Sequence, residues 1–321
     1  MNRAAEVPDA RPLDERRSKD REKNIRIAFA SCCDYRKKIG CKVWNDILGH
    51  KPDILLLLGD NVYLPARYKP QNPAQLRHQL KIQYDRLLSD PHFSALLLHM
   101  RAGERKVAAI WDDHDFLGGA KYASDFPNEY RDAAKAQFFE SFGFAAQPPN
   151  LYRSFELGDV KFVLLDCRSW RERRDTAPGN PEDVLGTEQL EWLPGQLQHD
   201  SKYTIVCSAL AFYNHPGMEH ESWGQYPAAR AELLKLLASR AGVLMLSGDI
   251  HRNGALDDDS LIELVSSGVS RKHQLWFWRV LRNYAVLDLD TQGAKVSFYE
   301  KDPSNNKAFS MPLSDWRLKT S

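Results

Sequence analysis

The stretch Ile54-Leu55-Leu56-Leu57-Leu58-Gly59-Asp60-Asn61-Val62-Tyr63 decides how the rest of the chain is read. An aliphatic run without a polar break reads as a strand buried on both faces. It is far shorter than the roughly 20 apolar residues a membrane helix needs. It then breaks into Gly-Asp, a turn signal. The same change from apolar to polar recurs. Ile25 to Ala30 leads into Ser31-Cys32-Cys33-Asp34, and Val107 to Ile110 into Trp111-Asp112-Asp113-His114-Asp115. Phe162 to Leu165 leads into Asp166-Cys167-Arg168, and Val243 to Leu246 into Ser247-Gly248-Asp249-Ile250-His251. Carboxylates, a thiol, a phenol and imidazoles thus fall at the carboxyl ends of successive strands, the edge where α/β sheets bind ligands.

Between these runs, Leu76, Leu80, Tyr84 and Leu87 recur at helical spacing, with Pro91 expected as the stop. A second helix is predicted from about Asn128 to Phe142, with Gly143 as its C-cap. A third should be capped by Thr187 and kinked or broken by Pro194, and a fourth should start at Pro227. Ile205-Val206, Leu261 to Val265, Ala285 to Leu289 and Lys295 to Tyr299 read as further strands. Strand–helix alternation followed by a strand-rich end predicts an α/β fold with mixed sheets. The expected organisation is a charged, flexible tail over residues 1–24 and a single catalytic domain over residues 25–321.

Composition narrows the function. The 321 residues carry 44 Lys+Arg against 43 Asp+Glu, a net charge of +1 that excludes a polyanion-coating protein. Hydrophobic residues at 43% and charged residues at 27% exclude a disordered chain. The five cysteines include no CxxC pair, which excludes a disulfide framework or a zinc-finger grid and favours reduced thiols in the cytoplasm. Arg16-Arg17 is not followed by the apolar stretch of an export signal.

Taken singly, each motif has an ordinary structural reading. Cys32 and Cys33 could be inert core thiols, and Gly59-Asp60 a turn. Asp112 to Asp115 could be a solvated loop, although carboxylates crowded around one His repel unless a cation offsets them. Asp249 and His251 could be a hydrogen-bonded pair. Together, at equivalent strand ends, they favour a metal site. A nucleophile mechanism finds little support: no Ser sits in a G-x-S-x-G elbow, and no thiol has an evident His partner.

The ordered set resembles the PhoD-like alkaline phosphatases, a branch of the calcineurin-type metallophosphoesterases. The resemblance rests on Ala30-Ser31-Cys32, Gly59-Asp60-x-x-Tyr63, Trp111-Asp112-Asp113-His114 and Asp166-x-Arg168. It continues through Trp223-x-x-Tyr226-Pro227-x-x-Arg230 and Ser247-Gly248-Asp249-x-His251, with the linking stretch Tyr84 to Pro91. It implies a metallophosphatase-like four-layer α/β/β/α sandwich with two mixed sheets. It also implies hydrolysis of phosphomonoesters or phosphodiesters through a hydroxide bridging two metal ions. Carried over by position, Cys32, Asp60 and Tyr63 hold the first metal and Asp60 bridges to the second. Cys32 stands where the wider superfamily has an aspartate, and Asp113 where it has an Asn ligand. His114 stands where that superfamily places the His that meets the substrate, and Asp249 and His251 match the ligands of its final motif. Thiolate and phenolate favour a ferric-type ion, whereas carboxylates suit calcium, magnesium or manganese. The expected pair is Fe(III) plus Ca2+, with Mn2+ or Mg2+ as substitutes. Two departures stand out. Phe116-Leu117-Gly118-Gly119 lie where family members often carry Asn, and the family's export signal and leading β-sandwich domain are missing, which reads as an intracellular offshoot.

On the substrate side, Arg168 offers a planar fork for phosphate oxygens, with Asp166 beside it in the catalytic set and His114 near the leaving oxygen. Asn61, Asp112, Arg171, Trp223 and Tyr226 are expected around the substrate. Arg173 and Arg174 read as solvated charges, and Asn214, His215 and His220 as minor candidates. The expected partner is a small-molecule phosphoester, and nothing indicates nucleic acid. Trp276-Phe277-Trp278 reads first as a core or interface helix and second as a membrane-surface contact. Two rival functions stay open: a non-catalytic binding protein on the same fold, and a metal-dependent hydrolase of a non-phosphate ester.

Overall fold

The Ile54–Leu58 run is a strand buried along its whole length, because its sheet lies between a layer of helices and a second sheet. The computed structural model describes residues 24–35, 41–65, 68–102, 105–118, 122–143, 150–172, 184–216, 222–238, 242–270, 273–275, 278–280, 282–314 and 316–320. The strands are β1 (Ile25–Ala30), β2 (Ile54–Leu58), β3 (Lys106–Ile110), β4 (Arg153–Leu157), β5 (Val160–Leu164), β6 (Tyr203–Ser208) and β7 (Val243–Ser247). They continue with β8 (Asn253–Asp257), β9 (Ile262–Ser266), β10 (His273–Leu275), β11 (Trp278–Val280), β12 (Tyr284–Leu289), β13 (Gly293–Tyr299), β14 (Lys307–Pro312) and β15 (Lys319–Thr320).

One sheet has the order β15-β14-β13-β12-β1-β2-β3, and the other β4-β5-β6-β7-β9-β8. Both are mixed. In the first, β1, β2 and β3 run parallel and the β12 side antiparallel. In the second, β5, β6, β7 and β9 run parallel, with antiparallel edges. Because side chains alternate along a strand, Ile27, Phe29, Leu56 and Leu58 meet Phe162, Ile205, Leu244 and Leu264 between the sheets. Ala28, Leu55 and Leu57 point the other way, into the core built with the Pro73–Leu88, Pro91–Arg101 and Asn128–Phe142 helices. Val163, Val206 and Met245 pack with Leu193, Leu233 and Leu237 of the Thr187–Gln196 and Pro227–Leu237 helices. The layers are α/β/β/α, as the resemblance implied.

Local signals held where capping chemistry is simple. The Asn128–Phe142 helix ends at Gly143 with φ 68°, the left-handed C-cap glycine favours, and Pro227 opens its helix. Pro91 follows the end of the Pro73–Leu88 helix, as expected of a stop, and also starts the Pro91–Arg101 helix, which was not foreseen. Asp90 Oδ1 accepts from the backbone N–H groups of His92 and Phe93 at 2.9 and 3.0 Å, and proline tolerates the first helical position. Pro194 sits inside the Thr187–Gln196 helix without splitting it, because the helix ends two residues later and little of its ladder is lost; Gly186 takes the N-cap position expected of Thr187. The short Val43–Gly49 and Asp113–Leu117 helices were not foreseen.

The helix expected around Trp276-Phe277-Trp278 is replaced by the antiparallel pair β10–β11, with Leu275 opposite Trp278; Trp276 and Phe277 lie outside the described residues. Also outside them are residues 1–23 of the expected tail, Arg173, Arg174 and most of the charged loop, and His220. Among the described residues, no helix is long and apolar enough to cross a membrane.

Candidate metal centre

The centre forms where β1, β2, β3 and β7 end, and the backbone there is strained. Cys32, Asp60, Asp249 and His251 hold φ values of 62°, 50°, 66° and 55°, and Gly59 holds 92°. Left-handed conformations cost a side-chain-bearing residue of order 1–3 kcal/mol and cluster at functional sites. Here each turns a side chain sharply off the end of its strand. Close packing fixes the turns. A Cβ on Gly248 would lie 2.4 Å from the Leu58 carbonyl oxygen and 2.9 Å from Ser31 Oγ. Gly248→Ala is therefore expected to push the β2 and β7 ends apart and cost about 1–3 kcal/mol in urea denaturation, as overpacking does. An unchanged midpoint would contradict this packing.

Three overlapping groups of donors converge. One ligand atom each from Cys32, Asp60 and His251 lie within 4.8 Å of one another; so do those of Asp60, Asp113 and His114, and those of Asp60, Asp112, Asp113 and Asp249. Asp60 belongs to all three. Its Oδ2 accepts from the Tyr63 hydroxyl at 2.5 Å and from the Cys32 thiol at 3.6 Å, and its Oδ1 accepts from the His114 N–H at 3.2 Å. The Tyr63 and His114 rings pack with centroids 3.9 Å apart. All the expected metal ligands are thus brought to one place.

The electrostatics call for a cation. Burial, then Asp113, Asp112, Asp249 and Asp115, push the Asp60 carboxyl far above the usual range. Burial, then Asp60 and Asp249, push the Cys32 thiol up in the same way. Asp113 is held low despite burial, because His114 and Arg168 outweigh it. Buried carboxylates this close stay ionised only when positive charge offsets them. Arg168, 1% exposed, supplies part of it through an ion pair from Nε to Asp112 Oδ1.

The remaining expected residues separate by what they touch. Asp166 is filled by hydrogen bonds: Oδ1 accepts from Trp111 Nε1 at 2.9 Å, Arg168 N at 3.1 Å and Ser169 N at 3.0 Å, and Oδ2 from Ser169 Oγ at 2.6 Å. It anchors the turn that carries Arg168. Asn61 is buried beneath the centre, its NH2 group donating to the Ile110 carbonyl at 2.9 Å and to Asp115 Oδ2 at 3.2 Å. Trp223, expected near the substrate, is fully buried in the core and donates to Ser208 Oγ at 3.1 Å. Arg171 is also buried. Its Nε donates to the Tyr226 hydroxyl at 2.9 Å, and its guanidinium lies over the Tyr122 and Tyr226 rings. His215 is held by Glu263 at 3.3 Å, and Asn214 Oδ1 accepts from Ser222.

Sequence reasoning passed over Asp115 as a site residue. Its Oδ2 accepts from the N–H groups of Asn61 at 3.0 Å and Asp112 at 3.1 Å, while Oδ1 accepts from the Tyr84 hydroxyl at 2.7 Å. Burial pushes its carboxyl up to about 7. It ties the Asp60 turn to the Asp112 turn. Its spacing three residues after Asp112, that of a capping box, was the available signal.

A two-sheet α/β sandwich with carboxylates, a thiol and imidazoles gathered at its strand ends defines a metallophosphoesterase-type hydrolase. Residues 27–275 match the PhoD-like phosphatase family, and the chain belongs to that family. No curated protein matches the chain in sequence. Among solved structures, one described as PhoD is 19% identical with a TM-score of 0.68, covering 93% of this chain and 72% of its own. A dimetal phosphatase from Danio rerio is 14% identical with a TM-score of 0.51, covering 88% of this chain and 98% of its own. GAP50, the anchor in the inner membrane complex of Plasmodium, is 14% identical with a TM-score of 0.50, covering 87% and 86%. These likenesses extend to the fold.

Proposed function

We propose that the protein is a metal-dependent phosphoesterase acting on small-molecule phosphomonoesters or phosphodiesters, with its catalytic domain over residues 25–321. The convergence of Cys32, Asp60, Asp112, Asp113, His114, Asp249 and His251 carries this reading. The donor set fits two cations. A thiol, a phenol and an imidazole with Asp60 suit a ferric ion, and the carboxylate side around Asp60, Asp113 and Asp249 suits a hard ion such as calcium. Fe(III) plus Ca2+ is the proposed pair. When bound, two ions clamp a phosphoryl group and lower the pKa of a water. The chain's own residues do the rest. Asp60 is shared between the two positions. His114, packed against the Tyr63 ring, reaches the leaving oxygen and donates a proton. Arg168, oriented by Asp112 and by the turn anchored on Asp166, supplies planar positive charge toward the phosphoryl oxygens. Arg171 and Tyr226 form a wall beyond it. The described cysteines are all free thiols, which supports a reducing compartment, the cytoplasm.

Elemental analysis of the purified protein, paired with a panel of phosphomonoesters and phosphodiesters, tests the proposal. Iron and calcium near one equivalent each, with turnover of one ester class, is the expected result. Metal without turnover of any phosphoester would move the protein to the rival class of binding proteins. Exhaustive chelation should also lower the melting temperature, because the crowded carboxylates lose their counter-charge and metal binding stabilises only the folded state. Readdition of the metals should restore it; an unchanged melting curve would refute the counter-charge argument.

A further inference from the structure

The segment after β9 straps the first metal-binding turn to the last. Ser31 Oγ donates to the Ser266 carbonyl at 3.2 Å, and the Gly268 and Val269 N–H groups both donate to the Ser31 carbonyl at 3.1 Å. Ser270 N–H reaches the Cys32 carbonyl at 3.3 Å, and Ser267 N–H the Arg252 carbonyl at 3.2 Å. Ser267 stands at the middle of the strap and is fully buried. Its hydroxyl makes two contacts with opposite roles. The His251 N–H donates to Ser267 Oγ at 2.9 Å, so the oxygen is an acceptor there. A hydroxyl has one hydrogen, and Cys32 Sγ lies 3.0 Å away to receive it.

We propose that Ser267 is a positioning residue of the metal centre, which sets the electron density on the Cys32 sulfur and locks His251 in its ligating backbone conformation. The inference rests on the reading of Cys32 and His251 as metal ligands. Both occupy the left-handed region, and a single hydroxyl joins them. A hydrogen bond donated to a thiolate withdraws charge from sulfur and lowers its donor strength toward a metal. Partners of this kind typically change metal affinity by about 10–100-fold when removed. The net effect of losing Ser267 is weaker binding, because the His251 conformation loosens. The sulfur that remains is more electron-rich, so its charge-transfer absorption moves to lower energy.

Cobalt(II) titration of the metal-free full-length protein tests this without reference to turnover. Wild type should develop a thiolate-to-cobalt band in the near ultraviolet, and Cys32→Ser should lack it. Ser267→Ala should keep the band, shifted to longer wavelength, and bind cobalt about tenfold more weakly or worse. Ser267→Thr, which retains the hydroxyl, should return the band to its wild-type position. Ser267→Gly gives the same reading as alanine if the alanine variant does not fold. A wild-type band position and affinity in Ser267→Ala would overturn the proposal and leave the phosphoesterase reading standing. Failure of both hydroxyl-free variants to fold would overturn it in favour of a purely structural role. Absence of any thiolate band in wild type would overturn the Cys32 assignment and this inference together.

Discussion

Asp60→Asn is expected to lose activity by about 1,000-fold or more while the metal-free protein stays folded. Charge stabilisation by a bound metal is worth several kcal/mol in the transition state, and each 1.36 kcal/mol is a factor of ten in rate. Asp60 is the donor common to all three groups, so its loss weakens both metal positions at once. The sign on stability is the opposite. In the metal-free protein the Asp60 carboxyl is buried among Asp113, Asp112, Asp249 and Asp115, which all disfavour its charge. The neutral amide relieves that repulsion; its single oxygen can accept from the His114 N–H, and its NH2 group can donate to the Tyr63 hydroxyl oxygen. Thermal melting of metal-free wild type and variant should therefore show the variant at least as stable. Turnover should vanish and metal content fall for both ions. Wild-type turnover in Asp60→Asn would refute the bridging assignment.

Cys32→Ser should lose iron preferentially, keep the harder ion, and lose the visible colour that thiolate and phenolate give to a ferric centre. Tyr63→Phe should bleach or shift that colour. The neighbouring thiol is the control. Cys33 is buried in the helix-side core with Tyr35, Cys41 and Trp44, away from the ligands, whereas Cys32 faces Asp60 and Ser267. Cys33→Ala should keep iron, colour and activity. A reversed pattern, with Cys33 essential and Cys32 dispensable, would show that the ligand is the other thiol.

The likeness to solved structures is one of fold at low identity, and the resemblance read from the sequence rests on the ordered motifs. The two agree because the motifs are strand ends, and strand ends are fixed by the same alternation that builds the sheets. Legibility failed where the signal was not local. Trp223 looked like a site residue by motif, yet its place in the Ala211–Ser222 bridge region buries it. Asp166 carries the right chemistry but spends both oxygens on its own turn and on Trp111.

By itself the sequence determined the layered α/β class, the strands that end in polar turns, the helices closed by Gly143 and opened by Pro227, and the set of residues that could hold metal. These depend on hydrophobic periodicity and on backbone chemistry within a few residues, which act before any long-range contact exists. The tertiary structure decided what those residues do to one another. It made Asp60 the common donor, paired one oxygen of Asp112 with Arg168, turned Asp115 into the tie between two turns, and set Ser267 against Cys32 from 235 positions away. Such pairings follow from strand order, with β1 beside β2 and β7 beside β9. Strand order is settled by which buried faces meet between and outside the two sheets, and no local stretch of the chain records it.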